Sequence, residues 1–157
     1  MSAFVPAFLI DTHVLIWLDQ KPERLSDHIL GLLRDPQHVV YSSAASLWEI
    51  AIKQNVGKLH IEGSLTTMLE RYGLRELPVT ARDAENTRGL PLHHRDPFDR
   101  MLIAQAMAGN LVLVSGDRQM LAYEVAILSC SGSTQRHTVE LGEATHRIEV
   151  ELGVHPR

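Results

Sequence analysis

Short apolar runs bounded by turn residues alternate along this chain with longer segments that begin at Ser, Thr or Asp and end at Gly or Pro. The first pattern marks buried strands and the second marks capped helices. Residues 7–10, 38–41, 74–79, 111–115 and 125–128 read as strands. Between them, residues 12–18, 26–34, 43–56, 64–72 and 80–89 read as helices. Ser26, Ser42 or Ser43, and Thr80 are the N-cap candidates, and Gly57 and Gly73 are stops. Asp35-Pro36 closes the second helix. The best-marked helix has Asp96 as N-cap, Pro97 at its first position and Gly109-Asn110 at its end. A helical turn is read at 120–123.

Residues 111–115 are apolar up to Ser115, as in a parallel strand covered on both faces. Regular strand–helix alternation up to about residue 130 predicts an α/β fold, a three-layer α/β/α sandwich around a mainly parallel central sheet. From Ser131 the texture changes. Ser131-Gly132-Ser133 resembles a linker, and 137–141 and 147–152 alternate like strands around Gly142-Glu143. A hairpin and a loose tail both fit that pattern. The expected organisation is therefore a domain over 1–130 and an extension over 131–157.

Composition changes this picture little. A chain of 157 residues with 45% hydrophobic and 22% charged residues can form one domain burying about 70% of its unfolded surface. The single cysteine, Cys130, cannot form an internal disulfide, which suits a reducing cytoplasm. The apolar start lacks basic residues and is interrupted by Asp11, His13 and Asp19, so it reads as neither a membrane span nor a signal peptide. A net charge of −4 argues at first against a polyanionic partner. It ceases to do so if several acids are neutralised together by cations.

Asp11 follows Phe8-Leu9-Ile10, Glu49 sits in Leu47-Trp48-Glu49-Ile50, Asp99 lies in the first turn after Asp96-Pro97-Phe98, and Asp117 follows Leu113-Val114-Ser115-Gly116. Each acid stands beside residues that read as buried, and no equally placed cation accompanies them. Buried charge requires a partner. Ligands of open parallel sheets bind beyond the carboxyl ends of the strands, where Asp11 and Asp117 fall. Glu49 can face the same place from its helix, and Asp99 from the start of its own. Carboxylates brought together without a cation would force protonation of one member. An all-oxygen set suits Mg²⁺ or Mn²⁺, which activate water and brace a phosphodiester.

Asp11-Thr12, Leu47-Trp48-Glu49-Ile50-Ala51, Asp96-Pro97-Phe98-Asp99-Arg100 and Ser115-Gly116-Asp117 together resemble the PIN-domain ribonucleases over about residues 7–128. Within them the chain is most similar to VapC-type toxins of bacterial toxin–antitoxin pairs. The resemblance implies that Asp11, Glu49, Asp99 and Asp117 hold Mg²⁺ in an endoribonuclease. It also implies cleavage of structured RNA such as transfer or ribosomal RNA, a homodimer, and a VapB-like antitoxin. Ser115 stands where the family has threonine before its fourth acid, and residues from Ser131 onward have no family counterpart.

Plainer roles compete for the same residues. Asp11 and Asp96 can cap helices, Asp99 can complement a helix dipole, Asp117 can be a turn residue, and Glu49 can pair with Lys53. Thr12 and Ser115 either orient a metal-held water or cap backbone, and Asp96 is a supporting residue at most. His93 and His94 lack a third histidine or a cysteine at zinc-ligand spacing and read as ordinary loop residues. Lys53, Lys58, Arg95, Arg100 and Arg118 can meet RNA phosphates, although Arg100 can instead pair with Asp96. Trp17 and Trp48 read as core or interface residues rather than stacking platforms. Cys130 reads as inert. The alternative to an enzyme is a catalytically silent module that binds RNA or protein. An aspartyl-phosphate phosphotransferase would want a second Asp where His13 stands.

Overall fold

The computed structural model describes residues 6–130 and the backbone of two further strands, Thr134–Val139 and Ile148–Gly153. Five parallel strands form the central sheet: β1 (Ala7–Ile10), β2 (Val39–Ser43), β3 (Arg75–Leu77), β4 (Val112–Ser115) and β5 (Ile127–Ser129). Their order is β3-β2-β1-β4-β5. Six helices connect them: α1 (Thr12–Gln20), α2 (Asp27–Arg34), α3 (Ala44–Asn55), α4 (Leu65–Arg71), α5 (Ala81–Thr87) and α6 (Pro97–Gly109).

Alternate side chains of each strand serve opposite layers. Phe8 and Ile10 of β1, with Val112 and Val114 of β4, pack with Val14, Leu15, Ile29, Ile50 and Met68 from α1–α4. Leu9 and Leu113 point the other way, onto Leu102, Ile103 and Ala106 of α6. Both faces of β1 and β4 are thus covered, which explains why their sequences are unbroken apolar runs. The three-layer α/β arrangement agrees with the sequence expectation.

The caps follow the sequence closely. Ser26, Ser43, Ser64 and Thr80 each accept a backbone N–H of the helix they precede. Gly57, Gly73 and Asn110 adopt the positive φ that ends a helix. Strand β3 is shorter than the expected 74–79. It is an edge strand pairing only with β2, and Pro78, which lacks an N–H, follows its last residue. Among the described residues no helix is long and apolar enough to cross a membrane.

Thr134–Val139 (β6) and Ile148–Gly153 (β7) pair antiparallel, so the extension contains the hairpin strands. Ser131-Gly132-Ser133 and Gly142-Glu143 lie outside the described residues.

Candidate metal centre

The strand order places the site. From β1 the chain moves outward through β2 to β3, then crosses back to β4 on the other side of β1. Connections therefore leave β1 and β4 in opposite directions, and a crevice opens at their carboxyl ends. Asp11 is the first residue beyond β1, its N–H bonded to the Val114 carbonyl at 3.0 Å. Asp117 lies two residues beyond β4. Helix α6 runs into β4 from the opposite edge, which brings its amino end, with Asp96 and Asp99, to the same crevice.

Asp11 is buried, only 2% exposed. Its Oδ1 accepts the Val14 N–H at 2.7 Å, capping α1, while Oδ2 accepts the Ser115 hydroxyl. The Ser115 Oγ in turn accepts the Asp117 N–H at 3.0 Å, tying β1 to the loop after β4. Asp117 Oδ1 accepts the Gln119 N–H at 2.9 Å, and its Oδ2 faces His94. Asp96 accepts the Phe98 and Asp99 N–H groups at 2.9 and 3.0 Å, the N-cap role read from sequence. The Thr12 hydroxyl donates to Ser46 Oγ at 3.0 Å and locks α1 to α3.

Two aspartates are electrostatically strained. Burial raises the Asp11 carboxyl above its ordinary range, against the lowering effect of the Ser115 and Val14 hydrogen bonds. Asp99 is pushed up to about 7, by burial first, then by Asp96, with Asp11 and Asp117 adding to the rise and His94 opposing it. The dipole of α6 favours a negative Asp99 by roughly 0.3–1 kcal/mol. Desolvation and like charge outweigh that. Asp11 and Asp117 line one cleft, and Asp99 and Asp117 both lie beside His94.

Glu49 lies on the first half of α3, mostly buried, but its carboxylate pairs with Lys53 Nζ at 3.1 Å. Among the described residues, the group close enough to share one ion is His94, Asp99 and Asp117. The structure thus brings His94 into the set and leaves Glu49 beside Lys53. His94 Nε2 lies 2.8 Å from Asp117 Oδ2 and 3.1 Å from Asp99 Oδ2. The sequence reading as an ordinary loop histidine missed this. The available signal was position: His94 ends the loop that delivers Asp96 and Asp99.

Arg100 does not pair with Asp96. Its guanidinium donates to the carbonyls of Thr87, Leu90, Pro91 and His94 and reaches the Tyr123 hydroxyl, fastening the loop before α6. Trp48 is not a core residue; it is 65% exposed and meets Phe98 edge-on. Trp17 is half-buried, with Arg24 over its ring, and lines a cleft of about 270 Å³ with Asp11, His13, Gly116 and Asp117. Burial pushes the Cys130 thiol up to about 12, so it stays protonated and unreactive.

A parallel α/β sheet with acids gathered at its winding reversal defines a recognisable class. Over residues 8–126 the sequence matches the family described as PIN domain, and the chain belongs to that family. A comparison with curated proteins by sequence finds no match. Solved structures share the fold. VapBC2 from Rickettsia felis, bound to a DNA fragment of its promoter, is 15% identical with a TM-score of 0.60, over 80% of this chain and 99% of that one. A toxin–antitoxin complex from Klebsiella pneumoniae is 17% identical with a TM-score of 0.57, over 79% and 98%. VapBC-1 from nontypeable Haemophilus influenzae is 16% identical with a TM-score of 0.54, over 78% and 97%.

Proposed function

We propose that this protein is the toxin of a toxin–antitoxin pair and acts as a divalent-cation-dependent endoribonuclease. The observation carrying this reading is that Asp117 lies within ion-sharing distance of Asp99 and lines one cleft with Asp11, in a PIN-family sheet. The donor set fits a hard cation: carboxylate oxygens, with two of the acids raised above their ordinary range by burial and mutual repulsion. Mg²⁺ is the ion we assign, with Mn²⁺ as a substitute. When bound, it supplies charge neutralisation, a more acidic water and bracing of the phosphodiester for in-line attack.

The chain's own residues supply the rest. Asp11 and Ser115 fix the floor of the crevice across β1 and β4, and Asp99 and Asp117 close it from α6 and the loop after β4. Glu49 completes the acid set on release from Lys53. The cleft beside Trp17 and His13 admits a nucleic-acid strand to the acids. We assign structured RNA, transfer or ribosomal, as substrate, a VapB-like antitoxin as inhibitor, a homodimer as the working unit and the cytoplasm as its location. The described structural neighbours are toxin–antitoxin complexes, which supports the antitoxin partner.

Purified protein, free of other chains, is to be incubated with total bacterial RNA in Mg²⁺, in EDTA, and in Mg²⁺ with D99N. Discrete fragments in the first lane alone are expected. Equal cleavage by D99N would remove the assigned site, and no cleavage by wild type would favour the silent binding module.

A further inference from the structure

We propose that His94 is a positioning residue of the metal centre, holding Asp99 and Asp117 together through a proton on Nε2 without itself becoming a ligand. This deepens the metal reading above and rests on it.

The ring is oriented from every side. Nδ1 accepts the Asp96 N–H at 3.1 Å. An imidazole nitrogen that accepts carries no proton, so the proton sits on Nε2, the atom facing the acids. That N–H donates to Asp117 Oδ2 at 2.8 Å, and Asp99 Oδ2 lies 3.1 Å from the same nitrogen. The backbone is clamped as well: the His94 N–H donates to the Tyr123 hydroxyl at 2.8 Å, and the His94 carbonyl accepts from Arg100 at 3.2 Å. The Tyr123 hydroxyl in turn donates to the Pro91 carbonyl at 2.8 Å. Loop, α6 and the segment before β5 thus converge on one ring, which is itself 8% exposed.

Ligation through Nε2 would require the proton to move to Nδ1, where it would confront the Asp96 N–H donor to donor. The observed bond therefore opposes a ligand role. The ring also links two carboxylates that come from different elements. Each carboxylate oxygen keeps a further lone pair, so the histidine bond and a cation can be accommodated together. Partners that hydrogen-bond to metal-binding carboxylates orient them, and removing such a partner weakens metal affinity by about 10–100-fold.

The test is calorimetric titration of the full chain with Mn²⁺ for wild type, H94Q and H94L, with pulsed electron paramagnetic resonance of the bound ion. A glutamine amide places N–H donors close to the Nε2 position, whereas leucine offers none. H94L should bind about 10–100-fold more weakly and H94Q close to wild type. Wild-type Mn²⁺ should show no coupling to an imidazole nitrogen. Such a coupling, with H94Q as weak as H94L, would make His94 a ligand and overturn the proposal. Equal binding by wild type and H94L would overturn it while leaving the metal centre intact. A wild type that takes up no Mn²⁺ would sink both. Melting curves in EDTA guard against misfolding: H94Q should melt near wild type, and failure of both variants to fold would make His94 a packing residue and refute the proposal.

Discussion

Asp11 and Asp117 each divide their two oxygens, one capping the start of a helical segment and the other facing the crevice. Capping and the proposed cation binding are therefore compatible in one side chain, and the capping bond fixes the rotamer that aims the second oxygen. Asp99 carries the clearest pH signature. Its folded pKa, about 7, lies above the unfolded value, so the native state holds an extra proton between them. Its contribution to stability is fully present below about pH 4 and lost as pH rises to about 7. In EDTA, D99N should therefore raise the unfolding free energy at pH 8, by on the order of 1–2 kcal/mol after solvent screening, and change it little at pH 4.5. Equal effects at both pH values would contradict the strained carboxyl. The acids were legible because each follows or interrupts an apolar run. His94 was not, because its partners lie 5 and 23 positions away and it acts as a donor, for which ligand spacing is no guide.

Elements were legible wherever local chemistry decides them. Caps at Ser26, Ser43, Thr80 and Asp96 depend only on neighbouring N–H groups, and all fell where expected. Strand ends were less so, since β3 is trimmed by pairing with a single neighbour. The carbonyl cluster that holds Arg100 was not among its sequence alternatives, because a helix i,i+4 partner is visible in sequence and a cluster of loop carbonyls is not. Lysine cannot reproduce that fan of bonds. R100K should lower stability by about 1–3 kcal/mol and speed amide exchange of the loop around His94 while leaving β1 protected, as hydrogen exchange would reveal. The sheet itself is held by packing: Leu113 is fully buried between β1, β5 and α6, and L113A should cost about 2–5 kcal/mol in urea unfolding. A cost near zero would mean that this layer is not the core.

At the scale of the whole molecule, strand order makes the site. The reversal between β1 and β4 is a long-range property, set by which strands pair, and no local sequence signal encodes it. The family match ends at residue 126 and the five-stranded sheet is complete by Ser129. A chain truncated after Cys130 should accordingly keep its helical circular dichroism and its Mn²⁺ affinity. Loss of either would assign the extension a structural part in the domain. Under the proposed function, cations in the crevice would offset part of the net charge of −4, and RNA affinity should then depend on them.

The most direct test is a crystal grown with Mn²⁺ and measured for anomalous scattering. A peak is expected within coordination distance of Asp11, Asp99 and Asp117 at the carboxyl ends of β1 and β4. A peak elsewhere, or none at a concentration that supports RNA cleavage, would contradict it.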